Sequence, residues 1–174
     1  SQELRYILPT FLKTAKQLQL RYPSLVVFIP SCRRTFDEKL KKGLEKYGIK
    51  GKVISQKDDS ELKPYIYSLT KLALCKSGTV NMELALYGIP QIVGYRVSRV
   101  TAFIAKYIIN FKVRFISPVN LLVKKLIIPE FVQENFNEKK IFYKASRLLD
   151  MTSEKAKIKK GYTLSLIHIS EPTR

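Results

Sequence analysis

The chain has 174 residues, and 32 Lys and Arg against 14 Asp and Glu give a formal net charge of +18. A hydrophobic fraction of 45% excludes an intrinsically disordered chain, and the length suits one domain. No apolar run approaches the roughly 20 residues of a membrane-spanning helix. Two cysteines exclude a disulfide scaffold and favour a reducing, cytoplasmic compartment, and the start of the chain has no secretory-leader pattern.

The first predicted elements are a helix, a strand and a second helix. Apolar residues at three- and four-residue steps predict an amphipathic helix over residues 2–21, with a bend or a later start at Pro9. The continuous apolar run Leu25–Ile29 predicts a strand buried on both faces. A capping-box spacing over Thr35–Glu38 predicts a helix that is stopped by Gly48.

The alternation continues to residue 95. It predicts strands at Lys52–Ser55, Leu72–Cys75 and Gln91–Tyr95, with helices at Asp59–Leu69 and Val80–Tyr87. Strands that alternate with helices imply an α/β fold, a parallel sheet with helices on both faces. Cys32 and Cys75 lack metal-ligand spacing and are expected to be buried at strand ends, so we expect no metal site.

Beyond Arg96 the pattern weakens. It predicts a helix over 98–111, an extended segment over 115–122, and helices at about 137–149 and 153–161. Basic and bulky apolar residues alternate between 95 and 125, which is typical of a segment at a membrane interface.

The end of the chain does not continue the preceding helix pattern. Residues 165–174, SLIHISEPTR, resemble translated adapter read-through at the ends of environmental sequence assemblies. We therefore expect residues 163–174 to be a non-native tail. The single histidine of the chain, His168, lies in this tail, which leaves histidine catalysis and histidine metal ligation without another candidate.

The most informative segment is the predicted strand, turn and helix that end at Glu83. Ser77, Gly78 and Thr79 form the turn, so the unpaired amides and positive dipole end of the helix point above the sheet edge. Gly78 allows a phosphate to approach the backbone, and the two hydroxyls can donate hydrogen bonds. The Glu83 carboxylate can accept both hydroxyls of a ribose. The alternative is an ordinary capped turn with Glu83 in solvent, and the spacing leaves both open.

Three polar residues further along the chain are weaker candidates. Asn120 stands among apolar neighbours in the segment predicted to be extended, so its amide needs a partner in the backbone or in a ligand. The backbone is the favoured partner. Glu130 and Gln133 follow Pro129 three residues apart, which would place them on one face of a helix, by default as surface residues or as a cap.

Several long strings resemble the lipid-A-disaccharide synthase family, inverting glycosyltransferases of the two-domain GT-B type. They are SGTVNMELALYGIPQIVGYRVSRVTAFIAKYII (77–109), SPVNLL (117–122), IPEFVQ (128–133) and the opening SQELRYILPTFLKTAKQLQLRYP. The resemblance covers about residues 1–162. It implies the Rossmann-like, nucleotide-sugar-binding half of the enzyme, with the amino-terminal domain missing.

The resemblance implies transfer of 2,3-diacylglucosamine from UDP to 2,3-diacylglucosamine 1-phosphate. Ser77, Gly78 and Thr79 would bind the diphosphate and Glu83 the ribose. Further positions around the donor pocket would be Arg96, Asn120, Glu130 and Gln133. The catalytic base would lie in the missing domain, so we expect this chain to be inactive alone.

The resemblance also implies partners and a location. The location would be peripheral, on the cytoplasmic face of the inner membrane, and a homodimer of the full-length protein would be possible. The resemblance implies no metal, no cofactor and no nucleic-acid partner. The alternatives are another UDP-sugar GT-B transferase or an epimerase, or a basic, non-catalytic polyanion-binding domain. The polyanion-binding alternative predicts RNA binding with a steep salt dependence. The aromatic residues argue against it, because they follow core periodicities and form no identifiable exposed platform on which bases could stack.

Overall fold

The computed structural model describes residues 2–98 and 114–170, in which helices alternate with short strands. The helices are α1 (Gln2–Tyr6), α2 (Leu8–Arg21), α3 (Arg34–Lys46), α4 (Gln56–Leu69), α5 (Val80–Leu86), α6 (Pro118–Val123), α7 (Glu138–Asp150) and α8 (Thr152–Ser170). The strands are β1 (Val27–Pro30), β2 (Gly51–Ile54), β3 (Ala73–Lys76), β4 (Gln91–Tyr95) and β5 (Glu130–Val132), and a 3-10 turn at Gln133–Asn135 follows β5. Apart from Ser98, the predicted helix 98–111 lies outside the described residues.

Every pairing between the described strands is parallel, which confirms the predicted α/β class. The described strands form two sheets, one with the order β1-β2 and one with the order β3-β4-β5. Val27 lies opposite Gly51 in the first sheet, and Cys75 lies opposite Val93 in the second. The predicted single sheet is therefore divided between β1 and β3 in the described part of the chain.

The prediction that the first strand is buried on both faces is wrong. Val27 and Ile29 pack with Leu12 of α2 and Leu44 of α3 in one apolar cluster. Phe28, on the opposite face of β1, is 40% exposed. The reason is that α2 and α3 together cover one face of this small sheet, whereas the apolar run gives no information about which faces are covered.

Proline and glycine mark helix boundaries as predicted. α2 begins at Leu8, with Pro9 in its first turn, after a break from α1. Gly48 and Gly88 have φ values of +57° and +65° directly beyond α3 and α5, a conformation that glycine adopts without steric cost. The predicted capping box is wrong, because α3 begins one residue before Thr35 and its amino end has no side-chain cap.

The main core lies beneath β4 and is closed by helices α2 and α7. The rings of Phe11 and Phe136 meet edge to face there, with 5.2 Å between their centroids. Gly94 of β4 lies directly against both rings, so that a β-carbon would overlap Phe136 and lie 2.7 Å from Phe11 Cζ. The absence of a side chain at Gly94 is therefore what lets these aromatic rings pack on the strand.

We expect the substitution Gly94→Ala to lower the free energy of unfolding by about 2–3 kcal/mol, because the buried ring of Phe136 and the partly buried ring of Phe11 would have to move to admit the methyl group. Urea denaturation would measure this loss. Gly78→Ala is the matched control, since a β-carbon at Gly78 meets no atom within 4 Å. Equal unfolding midpoints for the two variants would contradict the packing around Gly94.

A surface ion-pair group joins α7 to α8. Lys144 Nζ lies 2.6 Å and Arg147 Nη2 lies 2.9 Å from the Glu154 carboxylate, whose side chain is 14% exposed. The hydrogen bond from Lys144, reinforced by nearby positive charge, holds the pKa of Glu154 below its ordinary value. The folded state therefore gains stability from the ionised carboxylate.

We expect Glu154→Gln to cost about 1 kcal/mol of folding free energy at pH 7, because both cations lose their charged partner. Since the folded pKa lies below the unfolded value, this contribution is complete above about pH 4.3 and is lost as the pH falls through the folded pKa. Chemical denaturation of both proteins at pH 7 and pH 3 would show the gap closing. A gap of equal size at both pH values would contradict an electrostatic origin.

Helix α8 continues to Ser170, so the prediction that the last helix ends near Gly161 is wrong. Gly161 packs against Ile127, and Ser165 is fully buried, with its hydroxyl near the Val119 carbonyl of α6. Among the described residues, no helix combines the length and the apolar character needed to cross a membrane.

Candidate functional site

A cleft of about 390 Å³ opens between the carboxyl end of β1, helix α4 and the turn that leads from β3 into α5. Parallel α/β folds place ligand sites at this end of their strands, because the loops that follow the strands meet there. The lining residues come from the end of β1, from α4 and from the turn into α5, and they are Pro30, Ser31, Cys32, Gln56, Lys63, Tyr67, Thr79, Val80 and Glu83. Two of the predicted diphosphate and ribose residues, Thr79 and Glu83, thus line one cleft.

Glu83 extends from the first turn of α5 toward α4. Its Oε1 lies 2.8 Å from Lys63 Nζ, and its Oε2 accepts a 3.4 Å hydrogen bond from the Tyr67 hydroxyl. The carboxylate is about one-third exposed. The carboxylate is therefore held at the cleft by two partners of α4 rather than surrounded by solvent, and its contact with a ribose stays a prediction.

The Ser77–Thr79 turn is tied to the rest of the fold on one side and open on the other. The Ser77 hydroxyl donates a hydrogen bond to the carbonyl of Ile116, and the Gly78 amide donates one of 2.9 Å to Asn81 Oδ1. A β-carbon at Gly78 would enter open space. Thr79 does not cap α5 with its side chain. The turn thus leaves room for a ligand beside the backbone of Gly78.

A buried polar network under this turn is absent from the sequence predictions. Asn81 and Gln91 are both fully buried, and Asn81 Nδ2 donates a 3.0 Å hydrogen bond to Gln91 Oε1. Gln91 in turn reaches the hydroxyl of Tyr162, which donates to the Ile89 carbonyl. Because Asn81 also holds the Gly78 amide, this network fixes the turn from below.

Of the two cysteines, one departs from its predicted environment at a strand end. Cys32 is exposed at the cleft, so its predicted burial is wrong. Cys75 lies within β3 beside Asn81, and burial raises the pKa of its thiol to about 12. The Cys75 thiol therefore stays protonated at neutral pH.

Asn120 and Glu130 form a second network, in elements that differ from the predicted ones. Asn120 lies in α6 rather than in an extended segment, and Glu130 lies in β5 rather than on a helix. The Glu130 carboxylate accepts hydrogen bonds from the amides of Ile116 and Ser117 at 2.8 and 2.9 Å, and from Asn120 Nδ2 at 2.7 Å. Asn120 Oδ1 accepts the amide of Ile128. The favoured partner of Asn120, the backbone, is confirmed.

This second network reaches the turn through Ile116. Its amide binds Glu130, while its carbonyl accepts the Ser77 hydroxyl. Ser77, Asn120 and Glu130 are therefore linked in one continuous set of hydrogen bonds. In this structure, Glu130 binds the backbone amides of Ile116 and Ser117, Asn120 binds Glu130, and the carbonyl of Ile116 holds the turn through Ser77.

Arg96 and Gln133 lie where β4 and β5 end. Arg96 is exposed, and the Gln133 carboxamide accepts a 3.4 Å hydrogen bond from the Val97 amide. Gln133 begins the 3-10 turn with a φ of +51°, a conformation that costs energy for a residue with a side chain. Its predicted position on a helix shared with Glu130 is wrong. The strained backbone instead aims Gln133 toward the residue that follows Arg96.

A larger groove, of about 470 Å³, lies between α3 and β2. Its walls include Asp37, Lys41 and Lys52. None of the predicted site residues lines it. The smaller cleft is therefore the better candidate site, because it combines two of the predicted residues, Thr79 and Glu83, with the carboxyl end of β1.

Comparisons with known proteins agree on one family. A family model described as lipid-A-disaccharide synthetase matches residues 1–173. The lipid-A-disaccharide synthase of Prochlorococcus marinus is 45% identical over 161 residues, which are 92% of this chain and 41% of that protein. Those of Gloeothece citriformis and Synechocystis sp. are 37% and 32% identical, over 85% and 98% of this chain and 37% and 42% of theirs. The chain thus spans about two-fifths of the length of these relatives.

Proposed function

The chain belongs to the lipid-A-disaccharide synthetase family, and we propose that it is the nucleotide-sugar-binding part of a hexosyltransferase. The proposed reaction transfers 2,3-diacylglucosamine from UDP to 2,3-diacylglucosamine 1-phosphate and releases UDP. Since both substrates carry acyl chains, the whole enzyme is proposed to work peripherally on the cytoplasmic face of the inner membrane, with dimerisation as a further expectation.

The observation that carries this proposal is the placement of Glu83 beside Lys63 in the same cleft as Thr79. A ribose needs a hydrogen-bond acceptor for its hydroxyls, and a diphosphate needs amides and positive charge. The cleft offers a carboxylate and a lysine within one small volume, and the open side of Gly78 lies in the turn directly before the lining residue Thr79. Departure of UDP generates negative charge, which prearranged donors stabilise without a metal ion.

The remaining predicted residues have two proposed roles. Arg96, exposed at the end of β4, supplies a cation for the diphosphate, and Gln133 positions the backbone after it. Asn120 and Glu130 act as positioning residues, because their hydrogen bonds place the segment that holds Ser77. The catalytic base is assigned to the part of the enzyme outside this chain, so we expect no turnover from the chain alone.

Titration with UDP tests the proposal. We expect the 174-residue chain to bind UDP weakly, with a Kd on the order of 1 mM, and to bind single-stranded RNA with no greater affinity. Calorimetry with both ligands at low and moderate salt would measure this. Tight RNA binding with a steep salt dependence and no response to UDP would favour the basic polyanion-binding alternative.

We expect Gly78→Ala to weaken UDP binding about tenfold while the unfolding midpoint stays unchanged. The chain itself has space for the methyl group, so the loss would come from its overlap with the bound diphosphate. Parallel UDP titration and thermal denaturation would measure both quantities. Undiminished UDP affinity in this variant would show that the diphosphate does not bind beside the turn.

A further inference from the structure

A series of hydrogen bonds runs from helix α8 to the turn before α5. At its far end, the hydroxyl of Tyr162 donates to the Ile89 carbonyl at 2.8 Å and accepts from Gln91 Nε2 at 3.1 Å. Gln91 Oε1 accepts from Asn81 Nδ2 at 3.0 Å, and Asn81 Oδ1 accepts from the Gly78 amide at 2.9 Å. This series of bonds, the amide chain, thus connects α8 with the backbone of the turn.

The donors and acceptors of the amide chain all have one direction. Burial raises the pKa of Tyr162, so its hydroxyl keeps its proton and donates it to Ile89. The hydroxyl oxygen therefore accepts from Gln91, which turns the Gln91 oxygen toward Asn81. The Asn81 nitrogen must then face Gln91, so that its oxygen faces the Gly78 amide. Reversing either carboxamide would bring two donors together.

The amide chain is shielded from water. Asn81 and Gln91 are fully buried, and Tyr162 is 2% exposed. The two amide nitrogens also donate to the carbonyls of Lys76 and Asn81, which favours the same orientations. Burying two carboxamides costs free energy that an apolar pair would not cost, but a satisfied buried network holds its members in one arrangement. The residue at the near end of this network is Gly78.

Gly78 lacks the packing that could hold it in place. Glycine has the widest choice of backbone conformations, and a β-carbon at this position would meet no atom within 4 Å. Asn81 restrains Gly78 on two sides instead. The Gly78 carbonyl accepts from the Asn81 amide at 3.1 Å, while the Gly78 amide donates to the Asn81 side chain. The position of the Gly78 peptide group therefore depends on how the Asn81 carboxamide is held.

We propose that Tyr162 and Gln91 are positioning residues for the diphosphate of the nucleotide, which act through Asn81 on the peptide group of Gly78. The inference rests on the proposed function, in which the diphosphate binds beside this turn. Donors stabilise an anion best when they are already held in position before it binds. Thr79 follows Gly78 and lines the cleft, so the Gly78 peptide group sets where Thr79 meets the phosphates.

Titrations with UDP and with uridine test the inference, because only UDP carries the diphosphate. Tyr162→Phe removes one hydroxyl and keeps the ring, and we expect it to weaken UDP binding about threefold with no change in uridine binding. Damage to the fold as a whole would weaken the binding of both ligands alike. Tyr143→Phe, at an exposed tyrosine of α7, is the matched control and should change neither affinity. Nuclear magnetic resonance titration would measure all of these affinities.

A second substitution tests whether Tyr162 acts through Asn81. Asn81→Ala removes the acceptor of the Gly78 amide, and we expect it to weaken UDP binding about fivefold. Adding Tyr162→Phe to this variant should have no further effect on UDP affinity, because the link to Gly78 is already broken. Effects of the two substitutions that multiply independently would overturn the inference.

Hydrogen exchange gives a measurement that needs no nucleotide. In Tyr162→Phe, exchange of the Gly78 amide should accelerate about threefold relative to that of the Ser31 amide, which is bonded to Ile54 in the other sheet. This comparison also tests the amide chain if Asn81→Ala does not fold.

Three results would overturn the inference. They are equal UDP affinities of Tyr162→Phe and the wild-type chain, an equal loss of UDP and uridine binding, and unchanged exchange of the Gly78 amide. A wild-type chain that does not bind UDP would overturn the proposed function instead. Accelerated exchange at Gly78 would then still show that Tyr162 restrains the turn.

Discussion

Replacing Glu130 with alanine is expected to lower the free energy of unfolding by roughly 3–5 kcal/mol, the largest stability effect predicted for this chain. The substitution leaves the amides of Ile116 and Ser117 and the Asn120 side chain without their shared acceptor. Ser117 and Asn120 are fully buried, so water replaces the lost carboxylate poorly. Urea denaturation followed by far-UV circular dichroism would measure the loss.

Two matched variants distinguish the loss of these hydrogen bonds from the effect of removing a negative charge. Glu130→Gln keeps one carbonyl acceptor and should lose about half as much stability as Glu130→Ala. Glu134→Ala removes an exposed acidic residue four positions along the chain and should change stability by less than about 0.5 kcal/mol. Equal effects of Glu130→Ala and Glu134→Ala would show that the hydrogen bonds around Glu130 contribute little.

The same network links stability to the proposed nucleotide site. Ile116, held by Glu130, accepts the hydroxyl of Ser77 in the turn. A Glu130→Gln protein that remains folded should therefore bind UDP more weakly, although its side chain does not line the cleft. This is the behaviour of a positioning residue.

The elements between residues 8 and 95 follow from local sequence rules, and this is why they could be predicted. Strand Gln91–Tyr95 has the predicted bounds, because Pro90 and the end of the apolar run mark it clearly. Gly48 and Gly88 end helices because glycine adopts a positive φ at low energetic cost, which is a property of the single residue. Such signals need no knowledge of the neighbours in space.

The elements that carry Asn120 and Glu130 could not be predicted in the same way. α6 has six residues and β5 has three, so periodicity has too few positions to distinguish helix from strand. The environments of Asn120 and Glu130 depend on contacts between segments ten residues apart. The Asn81 and Gln91 network did have a signal, since both are amides among apolar neighbours, the same rule that pointed to Asn120.

Replacing Glu83 with alanine is expected to weaken UDP binding by about 10- to 100-fold, the largest effect predicted on binding. Loss of a carboxylate that accepts ribose hydroxyls removes about 1.5–3 kcal/mol of interaction. Glu61→Ala is the control, because Glu61 is an exposed acidic residue of α4 that does not line the cleft. Nuclear magnetic resonance titration, which follows weak binding, would measure both variants.

A second ligand makes this test specific to the ribose contact, because Glu83 also holds Lys63 and Tyr67 and its loss can disturb α4. The wild-type chain should bind 2′-deoxy-UDP several-fold more weakly than UDP, whereas Glu83→Ala should bind the two equally. Lys63→Met removes the ion pair but keeps the carboxylate, so it should retain the preference for UDP. If Glu83→Ala keeps the wild-type preference, the ribose is bound elsewhere and Glu83 serves only to join α4 to α5.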